Sequence, residues 1–268
     1  MTEREEKEKK EMNIVIFDTE TTSLDKPFCY NVGYTIFDTD TLEKVIRKDF
    51  VVEQIWHNLP LFQSAYYANK RQLYVERMRK RQTIMDKWGY IMQTMRRDFK
   101  TFDVQHAYAQ NSEFDVRVFE YNCDWFKTMN PLDEVAVHDI RGHIHKALAF
   151  TKEYQEFCET NELFTEAGNY STTAEAVYRY IADCPEFEEE HTALADSDIE
   201  CDILWYCVQQ GCEWTKDYKV YATIPRTTLR EYKIVDAEGG EHIFKYTAKR
   251  RLPHDKGMRF TIKKVEVK

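Results

Sequence analysis

Ile14-Val15-Ile16-Phe17-Asp18-Thr19-Glu20-Thr21-Thr22 is the most informative run in this 268-residue chain. Four apolar residues lead straight into two acids. A continuous apolar run rich in Val and Ile reads as a strand buried on both faces. Residues i and i+2 of an extended chain point to the same side, so Asp18 and Glu20 face one spot at the strand's exit. Two carboxylates facing one spot repel each other, and a divalent cation is the usual means of offsetting that repulsion. Acids also end strands that merely meet solvent, and the pair by itself is compatible with both arrangements.

Two further stretches add to the pair. Asn111-Ser112-Glu113-Phe114-Asp115 supplies a third acid, and His191-Thr192-Ala193-Leu194-Ala195-Asp196 supplies a histidine and a fourth acid at the start of a helical pattern. Acid-x-acid, then Asn-x-x-Phe-Asp, then His five residues before Asp, in this order, resembles the DEDD exonuclease superfamily, DEDDh type. That group includes polymerase proofreading subunits, RNase T and oligoribonuclease. The resemblance spans roughly Asn13 to Gly211. It implies an α/β, ribonuclease-H-like fold with a mixed five-stranded sheet flanked by helices.

The resemblance also implies roles. Asp18, Glu20, Asp115 and Asp196 match the ligands of two divalent cations, Mg²⁺ or Mn²⁺, and His191 matches the general base. Four carboxylates are hard oxygen donors suited to these ions, and a two-cation site can both activate water and hold the leaving oxygen of a phosphodiester. Thr21, Thr22 and Leu24 match positions that approach the terminal nucleotide, and Asn111 and Phe114 match positions that shape its pocket. The implied activity is a phosphodiester hydrolase that removes nucleoside 5′-monophosphates from a 3′ end. Because the opening motif looks most like the proofreading branch, single-stranded or frayed DNA is the favoured substrate, in replication or repair. RNA 3′-end trimming is the nearest alternative. A nucleic-acid-binding module of little activity, or a subunit docked on a DNA polymerase, is an alternative of another class. The chain departs from the pattern at Gln110, where many relatives have His. It also lacks an evident Leu-rich helix after the fifth strand.

Composition sets the frame. At 43% apolar and 14% aromatic residues the chain can bury a substantial core. No run is long enough to span a membrane. Seven scattered Cys with no Cys-x-x-Cys pair fit reduced thiols in the cytoplasm better than a disulfide framework. Net charge is −9, but it is unevenly spread. Lys216–Lys268 holds fourteen Lys/Arg against seven Asp/Glu, and Leu61–Lys100 holds ten against three.

The organisation expected is a charged, disordered lead-in (1–12), an exonuclease domain (13–214) and a small basic β module (215–268). In the domain, Val32–Phe37 and Val45–Val52 continue the first strand as an antiparallel meander, and Val104–Tyr108 and Val135–Asp139 are the fourth and fifth strands. Leu61–Phe99 reads as one or two helices, with Ala174–Ala182 and Ala193–Gln210 as later ones. The 61–100 stretch mixes Tyr66, Tyr67, Tyr74, Trp88 and Tyr90 with cations, a combination that suits single strands. Most of those aromatics are expected in the core, leaving Arg77, Arg79, Lys80 and Arg81 as the candidate contacts. In the module, Tyr232–Val235 and His242–Tyr246 flank a hairpin turn at Ala237–Gly240, and Phe260–Val267 suggests a last strand. His138, Asp139, His143 and His145 form a competing, irregularly spaced zinc candidate.

Overall fold

The computed structural model describes residues 12–235 and 241–249, with side chains described for 12–226. The strands are β1 (Asn13–Thr21), β2 (Cys29–Asp38), β3 (Lys44–Val52), β4 (Ile84–Asp86), β5 (His106–Ala109) and β6 (Ala136–Asp139). They form one six-stranded sheet in the order β4-β3-β2-β1-β5-β6. β1, β2 and β3 are the expected antiparallel meander, and β5 runs parallel to β1. The sheet has one strand more than expected. β4 interrupts the stretch read as helical and pairs in parallel with β3 through Phe50, Val51 and Val52.

Helices cover both faces. On one lie α1 (Glu53–Trp56), α2 (Leu59–Gln63), α3 (Arg71–Arg79), α4 (Trp88–Thr101) and α5 (Ser112–Phe126). Val15 and Phe17 of β1 point into their core, with Phe62, Tyr74, Trp88, Met95 and Phe119. On the other face lie α6 (Ile140–Ala147), α7 (Lys152–Thr160), α8 (Ala174–Ile181) and α9 (Ala193–Gln209), packed over Ile14 and Ile16. The alternation along β1 carries through to its acidic end. Asp18 and Glu20 share parity with Ile14 and Ile16 and so fall on the α9 side, whereas Thr19 falls on the α5 side.

Two residues of β2 set the position of α9. Gly33 is the ladder partner of Asp18. A Cβ at Gly33 would lie 2.1 Å from the Leu194 nitrogen and 2.2 Å from the Ala193 carbonyl carbon. The first turn of α9 therefore rests directly on the strand. Asn31, fully buried, holds the same turn: its Oδ1 accepts from the Ala193 N–H (2.9 Å) and the Tyr74 hydroxyl (2.9 Å), while its Nδ2 donates to Asp49 (2.6 Å) and the Phe50 carbonyl (2.9 Å). Gly33→Ala should lower the melting temperature and abolish the local geometry at Asp196, because the obstacle is backbone and cannot rotate away. Thermal melting together with cation titration checks this. A variant with wild-type stability and cation affinity would show that the helix has room to shift.

Past α9 the chain continues as a packed strap. Ile224 is buried and bridges Tyr170, the Tyr218 carbonyl sits where a Cβ of Gly142 would be (2.4 Å), and Asp217 accepts from His138 at 2.7 Å. The body thus extends beyond the boundary expected at 214, to about residue 226. After it, β7 (Thr227–Val235) and β8 (Glu241–Lys249) form a separate antiparallel pair in the register expected for a hairpin. The lead-in 1–11, the turn Ala237–Gly240 and the strand expected at 260–267 lie outside the described residues. No helix among the described residues is long and apolar enough to cross a membrane.

Candidate active site

The carboxylates of Asp18, Glu20 and Asp196 converge, with one oxygen of each within 4.8 Å of the others. β1 delivers the first two at its exit, and the first turn of α9 delivers the third. Asp115 arrives from the other face of the strand. Asn111 takes the left-handed conformation (φ 65°), which Asn tolerates better than most residues, and the chain turns there from β5 into α5. One turn in, Asp115 is buried and accepts a hydrogen bond from the Thr19 hydroxyl at 2.6 Å. Asp198, two residues after Asp196, bonds Thr35 and Arg47 instead.

A fifth acid completes the group. Glu200 lies one turn beyond Asp196 on α9, is buried, and accepts from the Gln110 backbone N–H at 3.1 Å. Sequence reasoning missed it, although the i, i+4 spacing from Asp196 places both on one helix face. Gln110 donates through its side chain to the Thr172 carbonyl (2.8 Å).

These acids raise one another's proton affinity. Protein surrounds the carboxyls of Asp18 and Glu20, although each residue keeps some solvent contact. Burial pushes Asp18 well above the usual carboxylate range, and Asp115, Asp196, Glu20 and Glu200 push it further. Glu20 is raised by burial and by Asp196, against the opposing pull of Lys70. Burial lifts Asp115 to about 7 despite the Thr19 bond. Burial and Glu189 lift Asp196 to about 8. Glu200 is raised well above its ordinary value by burial and then by Asp115.

These shifts link stability to pH. A carboxyl whose folded value is raised contributes stability below its unfolded value, and loses it as pH rises through the folded one. The cation-free protein should therefore lose melting temperature between about pH 5 and pH 8. Even about 2 kcal/mol corresponds to roughly 4–8 °C for a domain of this size. A divalent cation should restore the loss, more fully at pH 8 than at pH 5, and should release protons on binding at pH 7. Thermal melts with chelator, and calorimetry in two buffers of different ionisation enthalpy, test both statements. A flat profile would mean that these acids do not share a site.

The described contacts of His191 are with residues outside this group. Its backbone is left-handed (φ 51°), its ring stacks on Tyr67 with centroids 4.6 Å apart, and its Nδ1 is 3.5 Å from Glu189. Burial, then Lys70, holds its pKa below the ordinary histidine value, so it is neutral and able to accept a proton near pH 7.

The other expected residues are dispersed around the acids and beyond. Leu24 projects into solvent, 74% exposed, on the loop after β1, and Thr22 is buried, its hydroxyl without a hydrogen-bond partner among the described residues. Thr21 is half-buried, and its hydroxyl donates to the Ser23 carbonyl. Asn111 and Phe114 line a cleft of about 600 Å³ along α5, with Arg117 over the Phe114 ring. Arg77 is occupied by the protein itself: it donates to Thr192 (2.9 Å) and pairs with Glu190, bracing the segment that carries His191. Arg79, Lys80 and Arg81 are exposed. Tyr74 and Trp88 are core residues, as expected for most of that stretch. The zinc alternative is not assembled among the described residues. His138 bonds His106 and Asp217, Asp139 pairs with Arg141, and His143 and His145 bond Glu213 and Tyr221 respectively.

No protein-family model and no curated protein matches the chain. Solved structures do. The nuclease domain of 3′hExo, a DEDDh family member bound to rAMP, aligns with a TM-score of 0.51 at 15% identity, covering 80% of this chain and 98% of that one. A 3′-exonuclease in a study of 3′-end recognition of the histone mRNA stem-loop aligns at 0.48 and 12% identity (91% and 73% covered). Escherichia coli Exonuclease I in complex with a dA16 oligonucleotide aligns at 0.45 and 12% (72% and 40%). The fold is thus similar to that of DEDDh 3′-exonuclease domains.

Proposed function

We propose that this chain is a metal-dependent 3′-to-5′ exonuclease that releases nucleoside 5′-monophosphates, from single-stranded or frayed DNA first and from RNA second. One observation carries the reading. Asp18, Glu20 and Asp196, from segments far apart in sequence, bring carboxylate oxygens within 4.8 Å of one another in a fold similar to that of DEDDh 3′-exonuclease domains. The residues fit divalent cations. The donors are all hard oxygens, and Asp196 Oδ1 is buried with no hydrogen-bond partner among the described residues. Bound cations would supply charge neutralisation at the phosphate and a more acidic water.

The chain's own residues would do the rest. Asp18, Glu20, Asp115 and Asp196 hold the cations. The exposed Leu24 and the Asn111–Phe114 cleft seat the terminal nucleoside. His191 turns from Glu189 and Tyr67 toward the attacking water and takes its proton. The water oxygen bonds to phosphorus, the bond to the 3′ oxygen of the preceding nucleotide breaks, and that oxygen leaves with a proton. The products are a 5′-monophosphate and a strand shorter by one. DNA is placed first on the likeness of the Asp18–Thr22 motif to the proofreading branch.

The test uses oligonucleotides labelled at either end, as DNA and as RNA, with Mg²⁺ or Mn²⁺. Mononucleotide should be released first from the 3′ label, with chelator abolishing release. Cation-independent cleavage, or internal cuts, would overturn the proposal.

A further inference from the structure

Arg77, a candidate strand contact by sequence, has its guanidinium shared among three groups of the protein. Nη1 donates to the Thr192 hydroxyl at 2.9 Å and lies 3.9 Å from Asp49 Oδ2, while Nη2 pairs with Glu190. The Thr192 hydroxyl donates in turn to Glu190 at 3.0 Å. Glu190 and Thr192 are the residues immediately before and after His191. Arg77 thus fastens both neighbours of His191 to α3.

The third partner is itself fixed. Asp49 is 2% exposed, and it accepts from Asn31 Nδ2 at 2.6 Å and from the Thr83 hydroxyl. The same Asn31 accepts from the Ala193 N–H at 2.9 Å. Segment 190–193 is therefore tied at both ends to one buried carboxylate on β3, at one end through Arg77 and at the other through Asn31. Thr192 shows the same priority. It occupies the N-cap position of α9, where a threonine side chain ordinarily accepts from the helix's own N–H groups, yet it makes no such bond. Its hydroxyl is engaged by Arg77 and Glu190 instead.

His191 stands between these two ties in the left-handed conformation (φ 51°), and the described contacts of its ring are with Tyr67 and Glu189 alone. To meet a water at the acids, the ring has to leave both. With Glu190 and Thr192 held, that movement is a rotation of the side chain about a fixed backbone.

We propose that Arg77 is the positioning residue of the general base. It acts through His191, without contact to the strand, by holding the backbone on which the imidazole rotates. The assignment rests on the exonuclease reading and adds to it the device that places the base.

The experiment is a double-mutant cycle on the purified full chain, with a single-stranded oligonucleotide and saturating Mn²⁺. A small misplacement of a reacting group costs up to about 10²-fold, so Arg77→Gln should lower kcat by roughly 10- to 100-fold and leave KM within about two-fold. In the His191→Ala background the same substitution should lower kcat by less than about two-fold, because the group it positions is gone. Glu190→Ala repeats the cycle from the solvent side, where the side chain is 45% exposed, and carries the test if Arg77→Gln does not fold. An equal loss in both backgrounds would make the contact a support of α9 in general, and overturns the assignment. So does an unchanged kcat with a raised KM and a shallower salt dependence, the signature of a phosphate contact. Both outcomes leave the nuclease reading intact. Wild type that cleaves neither DNA nor RNA removes that reading and the role of Arg77 with it.

Discussion

Asparagine in place of Asp18 should abolish cation-dependent cleavage while leaving a folded protein that, with chelator present, melts above the wild type. Both effects have one source. Burial raises the proton affinity of Asp18, and Asp115, Asp196 and Glu20 raise it further. Losing one charge removes the carboxylate on which Asp115, Asp196, Glu20 and Glu200 all act. It also removes the most crowded repulsion of the cation-free site. The exchange keeps the shape of the side chain, so β1 and its pairing with Gly33 are unaffected. Turnover and thermal melting are read on the same preparation. Near-normal turnover at saturating Mg²⁺ would exclude Asp18 as a ligand, and a lowered melting temperature without cation would mean that its charge is compensated in the folded chain.

His191→Ala should cost about 10²–10⁴-fold in kcat, the usual contribution of a general base, with cation affinity unchanged. A base works when deprotonated, and burial and Lys70 lower the pKa of His191. At saturating cation the wild-type rate should therefore rise with pH and level off below the ordinary histidine value, and this limb should vanish in the variant. Recovery of the full rate on adding cation would reassign His191 as a ligand.

The central strand and its acids were legible because a continuous apolar run and an i, i+2 pair each have one simple geometric meaning. The meander was legible from two β-rich runs with a short turn between them, and α9 from its period of 3.6. Other features were not. β4 is three residues long, with Ile84 and Met85 exposed, and nothing in a run of helix formers marks so short an edge. α5 carries Val, Phe, Tyr and Trp, which favour strands by propensity, and it begins at a left-handed Asn. Glu200 was hidden because a buried carboxylate on a helix looks, in sequence, like a solvated one. Arg77 looked free for a ligand because its partners, Glu190 and Thr192, are more than a hundred residues away. The orientation of His191 depends on Tyr67, a contact that no local pattern encodes.

The placement of the acids also bears on the order in which the chain folds. The contact between Thr19 and Asp115 closes a loop of 96 residues, and that between Asn31 and Ala193 closes one of 162. Loop-closure entropy disfavours such long-range contacts early, while the β1–β3 meander can form locally. The acids therefore meet only after most of the apolar surface has been covered, and their repulsion is added on the native side of the folding barrier. A cation that binds the gathered carboxylates acts on that same side. It would slow unfolding and leave the refolding rate nearly unchanged, making a bound ion a kinetic lock on the finished fold.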